Sequence, residues 1–195
     1  MKISKWPSLR LSQSILDEAY DRSKLLPVLE GSHRGVEANQ VGCIGELVVE
    51  RWFQKHNFSY SSQLKQTSHD YMLNGRTIEV KTKDRTVPPL DKYECSLPDY
   101  NHKHQAADYF MFVSLLRDGK YSGENTMYAY KRAYLVGGIS HQDFDKHQVF
   151  WEEGQTDPTN GTKFWTSCWN VYIKNLEHLS MFSTNFKSDL NVAEH

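Results

Sequence analysis

The pair Asn74-Gly75 stands between two alternating runs, HDYML before it and RTIEVKTK after it, and it constrains the fold more than any other stretch of the chain. A two-residue type I′ turn needs positive φ at both central positions, which Asn and Gly adopt at least cost, so the segment predicts an antiparallel hairpin. Counting outward from the turn gives the register: Leu73 faces Arg76, Met72 faces Thr77, Tyr71 faces Ile78, and Asp70 faces Glu79. Residues two apart share a sheet face, so Lys81 joins Glu79 while Ile78 and Val80 turn the other way, toward a core. Opposed residues have Cβ atoms about 5 Å apart, and like charges so placed repel. Two arrangements tolerate the pair: a solvated outer face, the default for an I-E-V-K strand, or a cation that both carboxylates ligate.

Helical periodicity precedes the hairpin. Leu11, Ile15, Leu16, Ala19 and Tyr20 in LSQSILDEAYDRSKLL predict a first amphipathic helix that Pro27 stops. Val41, Ile44, Val48 and Trp52 predict a second from Asn39 to before Asn57. Its glycines, Gly42 and Gly45, each cost about 1 kcal/mol of helix propensity, so they belong in the first turn or where another backbone packs closely. After the hairpin, Val87-Pro88-Pro89 through Pro98 reads as a mobile loop. Residues 107–116 and 127–139 read as apolar strands of a sheet interior. Ser140 is placed to N-cap a helix over 141–147, with Asp143 at its third position. Short strands around DPTNG follow, and the tail from residue 187 should fray.

The expectation is one α/β domain with a mixed central sheet flanked by helices. Residues 1–38 form a helical extension, 39–139 the core, and 140–186 a C-terminal helix with short strands. At 195 residues, with 24% charged and 38% hydrophobic side chains, the chain is too apolar for disorder and too polar for a membrane protein. No apolar run of spanning length or leader-like start is present, so the expected compartment is the cytoplasm and no membrane partner is expected. Cys43, Cys95 and Cys168 form no CxxC pair, which argues against a disulfide framework or thiolate zinc site. A net charge of -1 leaves any polyanion to a local basic patch, and Arg76, Lys81, Lys83, Arg85 and Lys92 provide one.

Asp70, Glu79 and Lys81, joined by a hairpin and preceded by a helix carrying Gly42, Gly45 and Glu46 as GxxGE, resemble the PD-(D/E)XK nuclease superfamily. The motif order spans residues 39–139, with His69 where the pattern has proline. The resemblance implies a restriction endonuclease-like fold and a Mg2+-dependent deoxyribonuclease, with Mn2+ substituting and 5′-phosphate and 3′-hydroxyl products. Under it Asp70, Glu79 and the Val80 carbonyl hold the metal, Glu46 binds it directly or through water, and Lys81 orients or helps deprotonate the attacking water. That chemistry suits these residue types, because carboxylate-bound Mg2+ activates water and neutralises charge on the phosphoryl oxygens. A nucleic-acid-binding or assembly module with this fold but no turnover, and a structure-specific resolvase, are the alternatives; a homodimer is compatible with each.

Weaker signals surround the motif. Gln105 and Tyr109 fit a QxxxY pattern of the RecB-type exonuclease branch, although Tyr109 also reads as a buried strand residue. Lys83 and Arg85 are candidates for phosphate contact or a solvated strand end, and His102, Lys103 and His104 for DNA contact. Phe150, Trp151, Phe164, Trp165, Trp169 and Tyr172 read as packing of a small sheet ahead of base stacking.

Overall fold

The computed structural model describes residues 5–27, 35–63, 68–99, 106–159 and 161–180. The elements in chain order are β1 (Ser8–Arg10), α1 (Gln13–Ser23), α2 (Val36–Lys55), β2 (Tyr60–Ser62), β3 (Tyr71–Leu73), β4 (Arg76–Arg85) and β5 (Glu94–Pro98). They continue with β6 (Tyr109–Arg117), β7 (Tyr130–Ser140), α3 (His141–His147), β8 (Val149–Trp151) and β9 (Cys168–Tyr172). Six strands make a mixed sheet in the order β1-β7-β6-β4-β3-β2, in which β4 and β6 run parallel and the other neighbours antiparallel. A second, antiparallel sheet has the order β5-β9-β8.

The hairpin has the register counted from its turn: Tyr71 pairs with Ile78, Met72 with Thr77 and Leu73 with Arg76. Asn74 and Gly75 take φ of 50° and 75°, the left-handed conformations a type I′ turn requires.

The central strand β6 is buried on both faces, and its alternation sorts two cores. Tyr109, Met111, Val113 and Leu115 pack with Ile44, Val48, Phe53, Ile78 and Val80 beneath α1 and α2. Phe110 and Phe112 pack with Leu97, Val136, Phe144 and Val171 beneath the second sheet and α3. The mixed sheet flanked by helices is as expected, with α1 and α2 over one face; the other face lies under the second sheet and the short α3. Burying a Phe or Leu contributes about 1.5–3 kcal/mol, so each face is anchored independently.

Several local readings change. Helix α2 begins at Val36, three residues ahead of the expected start at Asn39. The Pro-rich segment expected to be a mobile loop contains β5, whose Pro98 sits at the strand end, where proline is tolerated. The N-terminal extension is built into the domain: β1 pairs with β7, and Leu11, Leu16 and Ala19 enter the helix-side core. Ser140 caps α3 as expected, its Oγ accepting the Asp143 N–H at 3.1 Å. All three cysteines are free and buried. Among the described residues no helix is long and apolar enough to cross a membrane. Residues 187–195 lie outside the described residues.

Candidate active site

Strand β3 is three residues long and β4 is ten, so β3 accompanies only the start of its partner. Asp70 is the point of departure. Its N–H donates to the Ile78 carbonyl at 3.0 Å, and its Oδ2 then accepts the Val80 N–H at 2.7 Å, where a continuing strand would have offered a main-chain carbonyl. Its own carbonyl accepts from the Gln63 N–H at 2.8 Å, turning the chain toward β2. Beyond that point the edge of β4 is no longer covered by β3.

Helix α2 reaches the same edge because of Gly45. A Cβ at Gly45 would lie 1.8 Å from Thr82 Oγ1, so only glycine lets the helix sit this close to β4. The next residue is Glu46. Tyr71, adjacent to Asp70, donates its hydroxyl to the Glu46 carbonyl and to Glu50 Oε1, each at 3.1 Å. Arg22 of α1 clamps Glu50 from two sides, at 2.7 and 2.9 Å. This Arg22–Glu50–Tyr71 network ties α1, α2 and β3 together at the level of Glu46 and Asp70.

Glu79 is only 3% exposed, which excludes the solvated outer face. Its Oε1 accepts from Lys81 Nζ at 2.6 Å, while its Oε2 is buried with no hydrogen-bond partner among the described residues. Burial and repulsion by Glu79 and Glu50 push the Glu46 carboxyl up to about 7, against the pull of Arg22 and Lys81. Burial, then Glu79 and Glu46, hold Asp70 well above the usual carboxylate range, opposed by the Val80 N–H and Lys81. Three carboxylates thus share one neighbourhood with one lysine, an excess of negative charge that burial makes costly.

The donor set fits a hard divalent cation: oxygen ligands, surplus negative charge, and a buried carboxylate oxygen without a donor. Among the described residues no group of three or more His, Cys, Asp or Glu side chains is arranged to hold a metal ion by itself. A cation here would complete its shell with water, as Mg2+ commonly does.

The remaining candidates are placed differently. Lys83 and Arg85 are not a solvated strand end, because both turn into the second sheet and donate to Ser96 Oγ and the Glu94 carbonyl. Tyr109 is buried in β6, beside Ile78 and Ser140, with the Arg76 guanidinium 5.8 Å from its ring. His102, Lys103, His104 and Gln105 lie outside the described residues. Of the late aromatics, Phe150 packs at a 48° tilt against Trp169 and Trp151 stacks on Phe164, each pair 4.7 Å apart, whereas Trp165 is 65% exposed.

Tyr71, Glu50 and Arg22 carry no motif. Glu50 had one sequence signal, its position four residues after Glu46, which places both on one side of a helix. No family model matches the chain, and no curated protein matches it.

Proposed function

We propose that this protein is a metal-dependent deoxyribonuclease of the PD-(D/E)XK kind, with a restriction endonuclease-like fold and the site Glu46, Asp70, Glu79 and Lys81. The observation that carries the reading is the buried, unpartnered Oε2 of Glu79, on a carboxylate already paired with Lys81 and repelling Glu46 and Asp70. A structural ion pair alone gives no reason to gather two further carboxylates; a divalent cation does. Mg2+ or Mn2+, held by Asp70, Glu79, the Val80 carbonyl and, directly or through water, Glu46, would supply Lewis acidity and an activated water. Lys81, paired with Glu79, would offset charge developing on the phosphoryl oxygens and orient the nucleophile. Asp70 is fixed for its task by the Val80 N–H, and Glu46 by the close seat of Gly45 on Thr82.

The test is incubation of the purified protein with circular and linear DNA, single- and double-stranded, in Mg2+, Mn2+ or EDTA. Cleavage that needs metal and disappears in Glu79→Ala supports the proposal. Binding with steep salt dependence and no cleavage of any form would replace it with a binding module.

A further inference from the structure

Two half-buried cations, Lys83 and Arg85, make hydrogen bonds but no salt bridge among the described residues. Lys83 and Arg85 continue the face of β4 that carries Glu79 and Lys81, and the second sheet covers them. Lys83 Nζ donates to Ser96 Oγ at 2.9 Å. Arg85 donates from Nε to Ser114 Oγ at 3.2 Å and from Nη2 to the Glu94 carbonyl at 2.6 Å, with its guanidinium 5.0 Å from the Tyr93 ring. All three acceptors are neutral. Among the described residues neither cation forms an ion pair. The carboxylate bordering them, Glu94, accepts from Asn170 Nδ2 at Oε2 at 2.6 Å, keeps a buried Oε1 with no hydrogen-bond partner among the described residues, and attracts Lys83 without forming a salt bridge to it; the nearby Cys95 and Cys168 thiols are pushed up to about 11 by burial and stay neutral. Burial lowers both basic groups, and Arg85 lowers Lys83 further. Charges withdrawn even partly from water are normally paired, and two like charges two residues apart on one strand face repel each other, so this pair is an exception.

The exception borders an open space. Lys83 and Arg85 line a cavity of about 180 Å³ with Tyr93, Glu94, Thr162 and Phe164. Arg85 and Tyr93 also border a second space of about 330 Å³, at the carboxyl ends of the parallel pair β4 and β6, where Arg117 stands. Ligands of open α/β sheets collect at such strand ends. Lys83 lies two residues beyond Lys81, roughly 7 Å along a strand that rises about 3.3 Å per residue.

We propose that the Lys83–Arg85 cavity is an oxyanion site that takes a phosphate group of the nucleic-acid strand next to the phosphate being cleaved. The source of the phosphate rests on the nuclease reading; the site's preference for a phosphoryl oxyanion does not. Lys83 serves as a point charge and Arg85 as the planar fork that fixes the group's orientation.

Two measurements test it. In the first, inorganic phosphate is added to the metal-free protein at constant ionic strength set with sodium chloride, and thermal unfolding is followed. Phosphate at about 10 mM should raise the melting temperature by several degrees. Lys83→Met, which removes a half-buried charge that forms no salt bridge while keeping the side chain's length, should melt at or above wild type and lose the phosphate response. In the second, single methylphosphonates are scanned along an oligonucleotide substrate. Neutralising the phosphate adjacent to the cut should lower wild-type kcat/KM about tenfold or more, and should have little effect in Arg85→Gln or Lys83→Met. A phosphate response with a flat scan would assign the site to a free phosphate compound and overturn the strand contact; no phosphate response in the wild type would overturn the oxyanion site. If no nucleic acid is cut, the nuclease reading fails while the phosphate titration still decides the cavity, and Arg85→Gln stands in if Lys83→Met does not fold.

Discussion

Replacing Glu46 with Gln should make the metal-free protein more stable at neutral pH. The folded protein holds this carboxyl at about 7 against an ordinary value of 4.5. Below the unfolded value both states are protonated and the group contributes nothing. Between 4.5 and about 7 the unfolded chain has released its proton while the folded protein retains it, so stability falls as pH rises through this window. At roughly 1.4 kcal/mol per unit the full loss is about 3 kcal/mol, an upper figure because Glu46 titrates together with Asp70 and Glu79. Glutamine keeps the shape and polarity without the charge. Glu46→Gln should therefore match wild type near pH 4.5 and exceed it by about 2–3 kcal/mol at pH 8, or about 4–12 °C for a domain of this size. Urea denaturation in EDTA across pH 4.5–8 reads the difference directly. A wild-type minus variant difference that stays flat over that range would refute the account of Glu46 as a carboxylate strained by its neighbours.

Three further outcomes follow from the same geometry. Millimolar Mg2+ or Mn2+ should raise the melting temperature of wild type at pH 8 and leave Glu79→Ala unmoved, measured by differential scanning fluorimetry without nucleic acid; equal shifts in the two proteins would place metal binding elsewhere. Lys81→Ala should retain that metal response yet cleave DNA about 10²-fold more slowly in single-turnover assays, the scale of a positioned acid-base group, and a wild-type rate from the folded variant would remove Lys81 from the mechanism. Gly45→Ala should destabilise by about 1–2 kcal/mol, because the overpacking against Thr82 outweighs the gain in helix propensity, whereas Gly42→Ala, whose Cβ meets nothing nearer than Glu46 Oε1 at 3.9 Å, should stabilise by up to about 1 kcal/mol; denaturation of the two variants should give opposite signs.

The parts of the site legible in the sequence are those fixed by short-range rules. A type I′ turn admits few residues and a strand alternates with a period of two, so Asn74-Gly75 alone sets the register from Leu73–Arg76 to Tyr71–Ile78; the expected Asp70–Glu79 pair lies one step past the end of that ladder, where Asp70 turns to the Val80 N–H instead. Gly45 announced a close approach by its cost, although not that Thr82 would be the residue approached. What stayed hidden depends on partners distant in sequence. Nothing local in ECSLP, with proline at its end and two more upstream, predicts a strand; β9 makes it one by supplying the ladder. Without that second sheet Lys83 and Arg85 are ordinary outward-facing residues, and with it they become half-buried cations.

The same covering layer explains why the face of β4 can be polar throughout. On a two-layer α/β protein, Glu79, Lys81, Lys83 and Arg85 would point to water, and none would be chemically distinctive. Here the first two are enclosed beside β3's departure point and the last two beneath β5, so one strand face carries a carboxylate cluster with surplus negative charge and, a few residues on, a basic pair with surplus positive charge. Neither surplus is relieved by the other, since no ion pair joins them among the described residues. A ligand that relieves both must present a cation and an anion at matching separation. Under the proposed function a metal-bound phosphodiester strand would do so, with Glu79 holding the ion and Lys83 meeting the neighbouring phosphate. Metal and nucleic acid should therefore bind with positive coupling, and a charge-reversing Lys83→Glu variant should weaken oligonucleotide binding in Ca2+ more than metal binding alone. Equal losses in both titrations, or independent binding of metal and oligonucleotide in the wild type, would show that the two charged regions serve separate ends.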